Sequence, residues 1–165
     1  MTLTPKGQRY IDRIQNKFLF NLFLLKELPL AWMAGCRLRC INMEECRISM
    51  PFGWRNQNPF QSIYFAAQSM SAEMSTGMLA VLAIENSNES IAMLVSNIEG
   101  EFTKKANAHV TFTCADGQKM FDAIAETCRT GEAVLVPMRT IGVMDDGTEV
   151  SNWTFTWSVK KRSQK

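Results

Sequence analysis

The sequence is poor in the side chains that most often carry catalysis or hold metals. Its 165 residues include one histidine, His109. That excludes a histidine-rich metal centre. It also leaves Ser62 an unconvincing nucleophile, because distant His109 would have to be its base. The five cysteines, Cys36, Cys40, Cys46, Cys114 and Cys128, are odd in number and lack a compact disulfide spacing. They are expected to be reduced, mostly buried thiols in a cytoplasmic protein, with no metal and no cofactor. Net charge is only +2, too small to predict a nucleic-acid partner. Lys160, Lys161, Arg162 and Lys165 gather at the C-terminus and read as a flexible, solvated basic tail over residues 160–165.

Long apolar runs are scarce too. Phe18–Leu25 is almost wholly apolar, but a membrane span needs ~20 such residues. Lys26, Glu27 and Pro29 end the run, so no span is expected. Met33–Cys36 faintly resembles a lipoprotein cleavage site, yet the charged pair just before it argues against export. No internal repeat or long linker interrupts the chain. Hydrophobic residues make up 46% and charged residues 21%, which suits one globular domain. The expected organisation is a single domain over residues 1–165, with residues 1–30 as a helical extension.

The local signals give an order of elements. Thr4 caps a first helix and Pro5 opens it. Ile11, Ile14, Phe18, Leu22 and Leu25 recur at helical spacing up to Pro29, where the helix should stop. Phe20, Phe23 and Leu24 lie off that stripe, so more than one face needs cover. Arg37–Asn42 and Cys46–Met50 read as paired strands. Asn58 and Pro59 signal a second helix running from about Pro59 to Leu82, with Gln61 placed as in a capping box.

That helix is rich in small residues: Ala66, Ser69, Ser71, Ala72, Ser75 and Thr76. From Asn56 to Ile84 its only charge is Glu73. A surface helix would carry several charges, so this one is predicted to be sheathed by protein. Ser90–Ile98 reads as a strand buried on both faces. His109–Cys114, Ala133–Val143 and Trp153–Lys160 follow as strands, with a short helix at Asp116–Cys128. Pro137 suggests an edge or a bulge in its strand. The fold class is therefore α+β: an antiparallel sheet curled round one long apolar helix.

Asn58-Pro59-Phe60-Gln61-Ser62-Ile63-Tyr64-Phe65-Ala66, with Glu73 fifteen residues after Asn58, resembles a known signature. Phenylacetyl-CoA-thioesterase-like members of the hot-dog superfamily carry an Asn, a Gly three residues on, then His-Gly-Gly, and an acid fifteen residues after the Asn. Here Gln61 replaces the glycine, and Tyr64-Phe65-Ala66 replaces His-Gly-Gly. The wider stretch Arg55–Gly77 is similar to a domain-of-unknown-function branch of that superfamily. Element order agrees from about Cys36 to Lys160.

The resemblance implies a hot-dog fold acting on an acyl-CoA or acyl-carrier-protein thioester. It implies a homodimer or dimer of dimers, in which the acid of one subunit faces the Asn end of its partner's helix. Glu73 would be general base or nucleophile, its pKa raised by desolvation at the margin of the helix face. Asn58 or Asn56 would hold the water or the carbonyl. Backbone N–H groups near Tyr64 and Phe65 would receive the oxyanion. Ser62 would line the substrate site, and Lys104 and Lys105 would meet coenzyme A phosphates.

Each assignment has a plainer rival. Glu73 could pair with Arg55 or Arg139, Asn58 could be only a helix cap, and Asn56 only a loop residue. Tyr64 could be a core aromatic, and the two lysines a solvated edge. The alternative function is an acyl-chain or acyl-CoA binding or regulatory dimer without turnover. The dehydratase branch of the superfamily is disfavoured, because it needs a catalytic histidine that His109 does not match.

Overall fold

The computed structural model describes residues 2–163, so Lys165 of the basic tail lies outside the described residues. Three short helices come first: α1 (Pro5–Gln15), α2 (Lys17–Glu27) and α3 (Pro29–Ala34). The hairpin β1 (Arg37–Ile41) and β2 (Cys46–Met50) leads to the long helix α4 (Phe65–Ser87). β3 (Ile91–Phe102), β4 (Val110–Cys114), α5 (Gly117–Thr130), β5 (Val134–Met144) and β6 (Glu149–Lys161) complete the chain. The strands form one six-stranded sheet in the order β1-β2-β4-β5-β6-β3, antiparallel at every pairing. It wraps α4, and this is the hot-dog fold.

The sheath round α4 follows from its small residues. Fourteen of its 23 residues are buried, including Ser71, Ala72, Ser75, Thr76 and Gly77. A methyl group added at Gly77 would stand 3.0 Å from Glu73 Oε1 and 3.3 Å from the Trp157 ring, so the glycine keeps a tight approach of the sheet free of crowding. The hydroxyls that close packing buries are all paired. Ser75 Oγ donates to the Ala72 carbonyl at 2.7 Å, and the Trp157 indole donates to Thr76 Oγ1 at 3.0 Å. On β6, Trp153, Phe155, Trp157 and Val159 are buried while Thr154, Thr156 and Ser158 are half-exposed, the alternation of a half-buried strand.

Four expectations need correction. The N-terminal helix is not continuous: Asn16 has φ −69° and ψ 111°, and its side chain accepts from Phe18 N and Leu19 N to cap a new helix. Pro29 does not stop helical structure but opens α3, as a proline at the first helical position can. The strand predicted to be buried on both faces is the sheet's edge: β3 pairs only with β6 and is exposed over most of its length. The basic tail begins later than Lys160, because Lys160 and Lys161 pair with Ala92 and Ile91 in the sheet.

Pro137 sits in β5 between two neighbours in the strand order, which its missing N–H should forbid. β4 accompanies β5 only from Thr140 to Met144. At Pro137 the strand has β6 on one side alone.

Candidate active site

α4 starts six residues later than its Asn-Pro signal. Asn58 folds the chain into a side-chain-closed turn instead, its Oδ1 accepting from Phe60 N, Ser62 N and Ser62 Oγ. Two tertiary bonds then hold the chain extended: Ile63 N donates to the Ala106 carbonyl at 2.7 Å and Tyr64 N to the Asn56 carbonyl at 2.7 Å. Only at Phe65 does the helix begin, with no side-chain cap. Its first-turn amides have no partner within the helix. Among the described residues, the amide N–H of Phe65 donates to nothing, whereas that of Tyr64 is already occupied. The oxyanion donor expected at Tyr64 is thus removed, and the one at Phe65 stays open.

Gln61 lies in this turn at φ 58°. That is the left-handed region, costing a side chain about 1 kcal/mol or more relative to glycine. The position is the one where the thioesterase signature carries glycine. Gln61→Gly should therefore stabilise the chain by about 1 kcal/mol, read as a shift of the denaturant midpoint with unchanged slope.

Asn56 is buried at 5% exposure, and its side chain is fully engaged by backbone. Its amide nitrogen donates to the Ala34 and Pro51 carbonyls at 2.9 and 2.6 Å, and its Oδ1 accepts from Gly53 N at 3.1 Å. It ties α3 to the loop that launches α4. Asn58 differs: its Oδ1 is occupied, but its amide nitrogen has no acceptor among the described residues and remains a free donor.

Asn58, Ser62, Tyr64, Phe65, Lys104 and Lys105 come together at the mouth of α4, round a cavity of ≈ 680 Å³. Phe102 joins them from the end of β3, with an edge-on aromatic series running from Phe65 through Phe102 to Trp153. Tyr64 and Phe65 are exposed at 47% and 55%, so Tyr64 is not a core aromatic here. Gln68 was missed from the sequence. It is buried, donates to the Ile63 carbonyl and accepts from Ser151 Oγ at 3.0 Å, locking the cavity floor to β6.

Glu73 is elsewhere. It lies about two helical turns along α4 from Phe65, roughly 12 Å at 1.5 Å per residue. It borders a second cavity of ≈ 340 Å³ with Leu28, Pro29, Leu30, Ala31, Met70 and Met74. Among the described residues it makes no ion pair. Arg139 is turned away, its Nε donating to Asn152 Oδ1 at 2.7 Å. Burial without a counter-charge pushes the Glu73 carboxyl up to about 6. The other acid bordering the cavity, Glu27, is held by Lys26 at 3.1 Å.

The cysteines are free, and Cys36, Cys46 and Cys114 are buried. Burial raises all three thiols, Cys114 to about 12, so they stay protonated and unreactive. Among the described residues, no cluster of three His, Cys, Asp or Glu side chains could hold a metal ion. No helix among them is long and apolar enough to cross a membrane.

Known proteins match the chain in family and fold. The model of a family described as a domain of unknown function, DUF4442, matches residues 16–159. No curated protein matches the chain. Among solved structures, a protein of unknown function from Chlorobaculum tepidum superposes with a TM-score of 0.77 at 12% identity, covering 93% of this chain and 99% of its own. A Pseudomonas aeruginosa protein of unknown function gives 0.73 at 17%, covering 87% and 95%. A thioesterase family protein from Silicibacter pomeroyi gives 0.62 at 14%, covering 93% and 99%. Identities this low establish the fold alone.

Proposed function

The chain belongs to the DUF4442 family, and we propose that it is a cytoplasmic homodimeric hydrolase of acyl-CoA or acyl-carrier-protein thioesters. One observation carries the proposal: Glu73, unpaired among the described residues, is an acid on an apolar cavity wall, its carboxyl raised to about 6. A structural acid would be paired or solvated. This one is set for general-base work near neutral pH.

In this reading Glu73 takes a proton from the attacking water. The carbonyl oxygen gains the negative charge, and the Phe65 N–H and the free Asn58 amide donate to it. The tetrahedral intermediate then collapses to the carboxylic acid as the C–S bond breaks, and the leaving thiolate takes the proton that Glu73 holds. Lys104 and Lys105 would meet the carrier phosphates, and Leu28, Leu30, Met70 and Met74 the acyl chain.

Within one protomer Glu73 lies about two helical turns from the Phe65 N–H, which supports a site shared with a second copy. The exposed edge strand β3, twelve residues long, is a surface on which such a copy could pair.

The second reading is a binding dimer without turnover. Tyr64 and Phe65 favour it, because they set two exposed rings where the signature has His-Gly. A panel of acyl-CoAs assayed by release of free thiol separates the two. Thiol release supports the hydrolase. Tight acyl-CoA binding with no thiol released selects the binding dimer. A monomer by light scattering would overturn the shared site in both.

A further inference from the structure

The N-terminal helices present an apolar surface that neither cavity uses. Of the eleven residues of α2, Phe20 and Leu24 pack inward. Phe18, Leu22 and Leu25 point outward, exposed at 75%, 51% and 50%. Their spacing of four and three residues puts them on one strip of the helix. At 100° per residue, Lys17 and Lys26 fall on opposite sides of that strip. Arg9 and Arg13 are exposed on the outer face of α1, away from buried Ile11 and Ile14.

Charge selects the occupant. Residues 2–30 carry Lys6, Arg9, Arg13, Lys17 and Lys26 against Asp12 and Glu27, while the whole chain has a net charge of only +2. These helices therefore carry a local excess of three positive charges, as the C-terminal residues 160–165 carry one of four. Lys6 pairs with Glu85, and Lys26 with Glu27. Among the described residues, Arg9, Arg13 and Lys17 are in no ion pair.

A second copy related by a two-fold axis through this strip would place Lys17 and Lys26 against cations of its own kind, which is unfavourable. Phe18, Leu22 and Leu25 by themselves also bury far less than the ≈ 1,200 Å² of a stable dimer, although Leu28, Leu30 and Met33 are exposed beyond the strip. An anionic bilayer has neither problem. Apolar side chains enter the acyl boundary while the cations meet headgroup phosphates.

We propose that the outer face of α2, with the cations of α1, docks the protein on anionic phospholipid surfaces. This requires no turnover at the Glu73 site. The corner between α2 and α3 also walls the Glu73 cavity, so docking would set that cavity beside the lipid.

The test is co-sedimentation of the full chain with phosphatidylcholine vesicles, with and without phosphatidylserine. Wild type is expected to sediment with the phosphatidylserine vesicles, to leave them at high salt, and to ignore phosphatidylcholine alone. The Phe18→Ser/Leu22→Ser double variant should bind on the order of a hundredfold more weakly, with its melting temperature kept, since both side chains are exposed. Lys17→Glu/Lys26→Glu should lose the preference for phosphatidylserine. Absence of wild-type binding, or equal binding by the serine variant, would overturn the proposal. So would a wild-type oligomer that the serine variant dissociates, because a second copy would then occupy the face.

Discussion

Glu73→Gln is expected to lower thioester turnover by roughly 10²–10⁴-fold, the usual worth of a general base, while making the protein more stable at neutral pH. The second effect follows from the raised carboxyl. Folded Glu73 keeps its proton up to about 6, against an ordinary value of 4.5. As pH rises between these values the unfolded chain ionises first, which favours unfolding. Below the lower value the group has no effect on stability. Above the upper one it destabilises the fold by on the order of 2 kcal/mol.

Glutamine has no proton to lose. The variant should therefore melt roughly 5 °C above wild type at pH 8 and match it near pH 4. Wild-type turnover should rise with pH through about 6, as the base ionises. Unchanged turnover in the variant would remove Glu73 from the mechanism. A lower melting temperature would show that its carboxylate has a partner.

Asn56→Ala is expected to behave in the opposite way, through the fold. The substitution deletes three hydrogen bonds, to Ala34, Pro51 and Gly53, and strands backbone groups at a buried site. At about 1 kcal/mol each the loss is roughly 3 kcal/mol, or about 10 °C of melting temperature. Asn56→Asp should be worse, since a carboxylate oxygen would face two carbonyls that now accept from an N–H. Asn58→Ala, in a half-exposed turn, should cost much less stability and act mainly on turnover. If Asn56→Ala lost activity with an unchanged melting temperature, the residue would belong to the chemistry instead.

Much of the architecture is legible in the sequence. The scarcity of charge along α4, where Glu73 and Glu85 are the only charged residues, announced a sheathed helix, because a solvent-facing helix carries more. The alternation on β6 marked its buried face, since strand side chains can only take turns. Asx-type residues were less readable. Asn16 and Asn58 both offer an oxygen to nearby amides, and the same local chemistry can cap a helix or close a turn. At Asn58 the contest is settled by Ile63 and Tyr64, whose N–H groups donate to Ala106 and Asn56 and hold the chain out of the helix until Phe65. β3 misled for a related reason. An apolar run shows that a strand lacks charge, not whether a neighbour lies on its far side.

The site divides along the same line. That one acid stands alone in a long uncharged stretch is a property of the chain order, and so is its fifteen-residue offset from Asn58. Folding decided that Arg139 turns to Asn152 and leaves Glu73 without a counter-charge among the described residues, that α2 and α3 wall its cavity, and that the acid lies two turns into a helix whose mouth holds the donors. Spacing along a sequence fixes only how far apart two groups can be. Burial and partners depend on what other segments bring beside them.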